Sequence, residues 1–253
     1  MLLAITAMVY SCEKANHAAP ATASNIQLSE AHYYYPDGSF YAVNYSYDAI
    51  GHLIKEEQLN AGQQPLFFRQ YHYQENQLVN TQIGKDPKMA EFRHSYANQQ
   101  LVKTEYEEFQ FANAKQHFER IYEYQGTTLV KITQHDLVDD QHSSFSVFSY
   151  EGANISGIRN YNLKTGVLEE EVAFEYDNRK NPLYGVTLNT GNIRYASKNN
   201  LIRTKTSVEN GHLVNKELVY EFEYNEQGYP TKSYQILENG ARLPEAGFIY
   251  KTY

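Results

Sequence analysis

The chain has 253 residues, with 22 basic and 30 acidic side chains and a formal net charge of −8. No block of Lys or Arg stands out, which argues against a nucleic-acid partner or an anionic membrane surface, because both demand clustered positive charge. The one cysteine, Cys12, excludes an intramolecular disulfide framework, while 24 tyrosines and no tryptophan suit half-buried pleated strands.

The chain begins with an apolar run, Leu2 to Tyr10, too short to span a bilayer. It resembles the hydrophobic region of a signal peptide, and Val9-Tyr10-Ser11-Cys12 resembles a bacterial lipobox, with the cysteine as lipid acceptor. The bulky Tyr10 and the lack of a basic residue ahead of the run depart from that pattern; the alternative is a buried N-terminal strand with an incidental thiol. The expected organisation is a signal peptide at 1–11, lipidation at Cys12, a flexible tether over 12–25 and one β domain at 26–253.

From Ile26 onward an aromatic-x-Tyr strand end recurs nine times. Its second tyrosine falls at 47, 73, 96, 124, 150, 176, 195, 224 and 250, in steps of 19 to 29 residues. A period in this range signals stacked supersecondary units. Alternation is clearest in four stretches. Tyr41, Val43, Tyr45 and Tyr47 share a face, as do Phe67, Tyr71 and Tyr73. Leu168, Val172, Phe174 and Tyr176 oppose Glu169, Glu171 and Glu175, and Leu218 to Tyr224 repeats the split against Glu217, Glu221 and Glu223. Pro87–Phe92 is predicted to hold a single helical turn at most. After the tyrosine a linker of four or five residues is expected, as in Asp48–Gly51 and Asn225–Gly228, with its glycine at positive φ. Midway through the repeat, Asn210-Gly211 and Asn239-Gly240 are hairpin signals, and Lys164–Gly166 and Asn60–Gly62 occupy the same slot.

Two turns per repeat leave about 9 residues per strand. The fold class is therefore all-β: an antiparallel up-and-down meander of about 16–18 strands, curled or closed into a barrel-like sheet. An open superhelical sheet and a sandwich are the alternatives. Closure removes exposed edges, but so many strands leave a lumen that must be flattened or occupied. A membrane-spanning barrel is disfavoured by mid-strand charges on the aromatic face, at Arg69, Arg120 and Glu170, and by a final strand that lacks an apolar alternation.

The Tyr-x-Tyr-Asp-x-x-Gly-x-Leu units, clearest at Tyr45–Leu53, resemble the YD-type repeats of bacterial surface proteins. Together with Cys12 they resemble a Bacteroidetes lipoprotein family of unknown function built from YD-like β-hairpin repeats with a porin-like β-meander. That resemblance implies an exported protein, lipid-anchored at the bacterial outer membrane and facing the periplasm or cell surface, and no catalytic residues to carry over.

The residues add little chemistry of their own. Nine histidines stand as singletons, without the spacing a zinc site needs. Asp136, Asp139 and Asp140 invite a Ca²⁺ loop but lack the EF-hand alternation. Glu169, Glu170 and Glu171 alternate across a strand rather than pairing for glycoside hydrolysis. No enzyme, metal or cofactor is expected. The expected role is binding or scaffolding by an envelope protein that meets the membrane through its N-terminal lipid only. The alternative is a glycan-binding lipoprotein with exposed Tyr-rich surfaces, and the partner is accordingly a glycan or an envelope protein.

Overall fold

A computed structural model describes residues 26–84, 88–109, 116–185 and 196–252. Sixteen strands follow one another: β1 Ile26–Tyr34, β2 Phe40–Tyr47, β3 Leu53–Leu59, β4 Pro65–Gln74, β5 Gln77–Ile83, β6 Ala90–Ala97, β7 Gln100–Glu108, β8 His117–Gln125, β9 Thr128–Asp136, β10 Ser144–Glu151, β11 Asn154–Asn162, β12 Leu168–Lys180, β13 Asn199–Glu209, β14 His212–Tyr224, β15 Pro230–Ile236 and β16 Arg242–Thr252. Each pairs antiparallel with its sequence neighbours, and β1 pairs with β16, so the meander closes into a barrel. Closure leaves none of the sixteen strands with an unpaired edge. The expected helical turn before Phe92 is absent from the described part of that stretch, because Ala90 already opens β6 in register with Ile83; Pro87 lies outside the described residues.

The aromatic face is the inner one. Tyr45, Tyr71, Leu28, Leu53 and Leu78 are buried together around Leu183, with Tyr33, Tyr47, Tyr73, Phe248 and Tyr250 packed against them. The repeat has a second layer that strict alternation conceals. The ladder register shifts just before the repeat tyrosine in seven hairpins, for example between Ser46 and Tyr47, His72 and Tyr73, Ser95 and Tyr96, and Glu223 and Tyr224. Such a bulge puts two residues opposite one and bends the strand. On the returning strand it brings Leu53 and Glu56 to the same face, and likewise Leu78 with Thr81 and Leu101 with Thr104; all six are buried.

Four of the repeat tyrosine hydroxyls tie their strand to the returning strand before it. Tyr73 donates to the Leu53 carbonyl at 3.1 Å, Tyr96 to Leu78 at 3.1 Å, Tyr176 to Ile155 at 2.8 Å and Tyr250 to Pro230 at 2.6 Å. The acceptor sits at the start of the preceding returning strand, beside the bulge. A phenol bonded this way caps a main-chain oxygen while its ring fills the wall, which is why the motif demands Tyr rather than Phe. Burial raises the phenol pKa of Tyr124, Tyr150 and Tyr176 to about 12.

The turns divide into two kinds. Asp48 Oδ1 accepts from the Ile50 and His52 amides, Gly51 has φ 93°, and Asn225 Oδ1 accepts from Tyr229 N with Gly228 at φ 80°. The copies at Tyr73, Tyr96, Tyr124 and Tyr150 are shorter than expected. Two residues suffice there, as in Glu75-Asn76, where both φ angles are positive. In the mid-repeat slot, Asn210 and Gly211 take φ 52° and 75°, the hairpin geometry their sequence suggests. The Asn60–Gly62 turn differs from expectation, because the positive φ falls on Gln63 and not on Gly62.

Candidate functional site

The barrel has two unlike ends. The strand β1 starts and β16 finishes at the end carrying the repeat tyrosines, so Ile26 and Thr252, which are register partners, lie there. That end is occupied. The β12–β13 connection turns inward, placing Asn181, Pro182 and Leu183 against Tyr33, Tyr176, Leu201, Phe222 and Phe248. Leu183 is 6 % exposed and Ser197 fully buried. Ser197 Oγ donates to the Tyr176 hydroxyl at 3.0 Å, and Asn181 Nδ2 donates to the Ser197 carbonyl at 2.8 Å. Asp177 of the same copy accepts from the Asn200 amide at 3.0 Å and from the Tyr224 hydroxyl, so Tyr224 bonds the plug region where its counterparts bond a carbonyl. Of the ways expected to fill the lumen, the described part of this connection supplies a loop at this end. Tyr195, the seventh repeat tyrosine, lies outside the described residues, as does Cys12.

At the opposite end, the mouth, a polar cavity of about 440 Å³ is lined by Ser144, Ser146, Asn160, Glu169, Glu170, Glu209 and Asn210. Alternation along β10 to β13 aims Ser144, Ser146, Asn160, Glu170 and Glu209 inward. A relay runs along the wall: Ser146 Oγ donates to Asn160 Oδ1 at 2.6 Å, and Asn160 Nδ2 donates to Glu170 Oε2 at 2.5 Å. Glu209, the register partner of Glu170 on β13, accepts from Lys216 Nζ at 3.2 Å. On β6, β7 and β8 the inner wall near the mouth is aromatic instead. Phe92, Tyr106 and Phe118 form a run with centroids 4.7 and 4.8 Å apart, and the Arg120 guanidinium lies 4.9 Å from the Phe118 centroid.

Between plug and mouth the wall holds a buried polar chain. His94 contacts Thr81 Oγ1 at 3.3 Å through Nε2 and Thr104 Oγ1 at 3.0 Å through Nδ1, and Tyr122 donates to Thr104 at 3.1 Å. Burial penalises the imidazolium and pushes the His94 pKa down to about 4. Glu56, 5 % exposed, receives Arg69 Nη1 at 3.0 Å.

The charges expected to argue against a membrane barrel therefore stand elsewhere than anticipated. Arg69, Arg120 and Glu170 are on the aromatic face, but that face is the lumen, where charge says nothing about lipid. The outer face supplies the relevant observation. There Arg93 meets Glu91, Glu105 and Glu107, Lys103 bridges Glu105 and Glu119 at 2.8 Å each, and Arg203 joins Glu175 to Glu217 across three strands. Lys205–Glu175, Arg159–Glu171 and Arg242–Glu221 continue the lattice. Lys103 and Arg159 hydrogen bonds hold the Glu105 and Glu171 carboxyls below the usual range.

The other sequence candidates resolve into turn chemistry. Asp136 Oδ1 accepts from Val138 N and Asp139 N, Asp139 caps a 3-10 turn at Asp140–His142, and Asp140 pairs with Lys164. Among the described residues no group of three or more His, Cys, Asp and Glu is placed to hold a metal. Glu171 joins the outer lattice, but Glu169 lines the mouth together with Glu170 instead of sharing the face of Glu171 as strict alternation requires, because the register shift between Asn160 and Tyr161 leaves Glu169 as the extra residue between Leu168 and Glu170. What sequence reasoning missed is Glu209, which only the strand pairing sets opposite Glu170.

Comparison with known proteins bears on the fold alone. No family model and no curated protein matches the sequence. A porin-like protein from Bacteroides vulgatus ATCC 8482 superposes with TM-score 0.59 at 10% identity, covering 90% of this chain and 99% of that one. A porin-like protein from Bacteroides uniformis ATCC 8492 superposes with TM-score 0.56 at 12% identity, covering 88% and 98%. The chain is similar to these barrels over nearly their whole length.

Proposed function

We propose that this protein is a water-soluble, lipid-anchored envelope barrel with a non-catalytic binding or scaffolding role, its open mouth turned away from the anchor. The outer ion-pair lattice carries the reading. A Lys or Arg facing lipid at the bilayer midplane costs about 2–4 kcal/mol, and this wall presents several, with their carboxylate partners. A wall of that kind belongs in water, and Asn181–Leu183 pack into the lumen at one end, where a pore needs a clear passage. Attachment then falls to the N-terminal segment ahead of Ile26, and Ile26 itself lies at the plugged end. The glycan alternative calls for tyrosine rings grouped on an exposed surface. The repeat tyrosines instead face inward with bonded hydroxyls, which favours the first reading.

Glu170 and Glu209 do converge in a cleft, but one is held by an amide and the other by a lysine. Such pairing suits recognition of a charged group better than proton transfer to a substrate. Labelling with radioactive palmitate in a bacterial host tests the anchor. Incorporation by the native chain and none by Cys12→Ala is expected; equal incorporation by both would remove the anchor from the account.

A further inference from the structure

The loops around the mouth carry most of the exposed large apolar side chains among the described residues. Leu66, Phe109, Val138, Val167, Leu213 and Leu237 are all large, apolar and exposed, and each lies on or beside a different connection at the mouth end. Exposure reaches 89 % at Leu213 and 64 % at Val138. Scattered exposed apolar residues need no explanation, but a ring of them around one opening marks an interaction surface. Inside that ring lie the carboxylates of Glu169, Glu170 and Glu209 and the aromatic run Phe92, Tyr106 and Phe118.

Charge decides among the possible occupants. A second copy docked mouth to mouth would set these carboxylates against their own duplicates. An anionic lipid surface would meet an acidic opening on a chain of net charge −8. Lys216 offsets one of the three carboxylates and Arg120 stands beside Phe118, which leaves the carboxylates in excess; a basic protein segment finds them for its ammonium or guanidinium, the Phe92 and Tyr106 faces for cation–π contact and an apolar rim for the flanking residues. We infer that the mouth docks a partner protein through a Lys- or Arg-bearing segment flanked by apolar side chains. This rests on the proposed water-soluble barrel and names the partner class for its open end.

The test uses residues 26–253, which contain all sixteen strands, and two labelled 15-residue probes: a Leu/Lys peptide and its Leu/Glu counterpart, followed by fluorescence anisotropy. The Leu/Lys peptide is expected to bind and the Leu/Glu peptide to fail. Affinity should fall at least about 10-fold in Glu170→Gln/Glu209→Gln and, separately, in Val138→Ser/Leu213→Ser/Leu237→Ser. The charge-matched outer-wall variant Glu221→Gln/Glu223→Gln should stay within about 2-fold of the native barrel. Equal losses in the outer-wall variant would show diffuse attraction and overturn the inference. So would a dimer in sedimentation that the rim variant abolishes, or flotation with anionic vesicles that it abolishes. All variants lie on exposed or half-exposed positions, and an unchanged melting temperature separates lost binding from lost folding. Failure of the water-soluble reading would show differently, as a barrel that needs detergent.

Discussion

The two ends of the barrel are made from the same repeat yet have opposite characters. At the plugged end seven copies contribute a bulge, four tyrosine hydroxyls aim at a neighbouring carbonyl, and Asn181–Leu183 pack against the inner wall. At the mouth the same strands end in Ser, Asn and Glu on the inside and apolar tips on the outside. The difference teaches that the repeat encodes closure at one end only. Whatever distinguishes this barrel from another meander of the same period resides where the copies are allowed to diverge.

The comparison is broken most severely at the plug. Leu183→Ala should destabilise by about 2–5 kcal/mol, because a buried side chain is lost from a packed cluster, whereas Leu213→Ala at the mouth should change stability by less than about 0.5 kcal/mol. Urea denaturation of both variants checks the contrast. Equal effects would mean that the plug does not pack.

The buried chain between the ends gives a pH signature. The folded-state pKa of His94 is about 4, below the ordinary value of 6.5. Between these values the unfolded chain binds a proton that the folded chain refuses, so stability is full above pH 6.5 and declines as pH falls toward 4. The loss over that window is roughly 3 kcal/mol. Outer carboxylates such as Glu171, whose pKa is depressed below 4.5, lose their contribution at lower pH still. His94→Gln should flatten the slope between pH 6.5 and 4 and leave the more acidic limb; an unaltered slope would place its origin elsewhere.

Smaller effects sharpen the same contrast. Tyr250→Phe deletes the donor to Pro230 and should cost about 1 kcal/mol in thermal or chemical denaturation, while the outward Tyr234→Phe, whose partner Glu223 is solvated, should cost less. Glu75→Gly should stabilise by about 0.5 kcal/mol, since Glu75 holds φ 49° in a two-residue turn where glycine avoids the left-handed penalty. A loss in melting temperature would indicate that the Glu75 side chain contributes a contact of its own.

Much of this architecture was legible in the chain. The spacing of Tyr47, Tyr73, Tyr96 and their successors foretells a meander of hairpins, and the Glu-rich alternates of β12 and β14 foretell a wet face. The strand number follows from the count of repeats, whereas the choice between a closed barrel and a curled open sheet is decided only by the pairing of β1 with β16. Other features were not legible because they depend on register. The bulge before each tyrosine shifts the return strand by one residue, so that Leu53 and Glu56 share a face that strict alternation would deny them. Whether Arg69 faced lipid or lumen could not be read from strand periodicity, which separates two faces without saying which is inside. The mouth pairs Glu170 with Glu209 across 39 positions of sequence, and no local pattern announces that contact.

The central proposal is that this sixteen-stranded meander forms a barrel filled at one end, with an outer wall that faces water. Sedimentation of residues 26–253 in detergent-free buffer tests it most directly. A single species with the mass of one barrel is the expected result. Aggregation relieved only by detergent, with the protein then inserting into lipid vesicles and conducting ions, would contradict it.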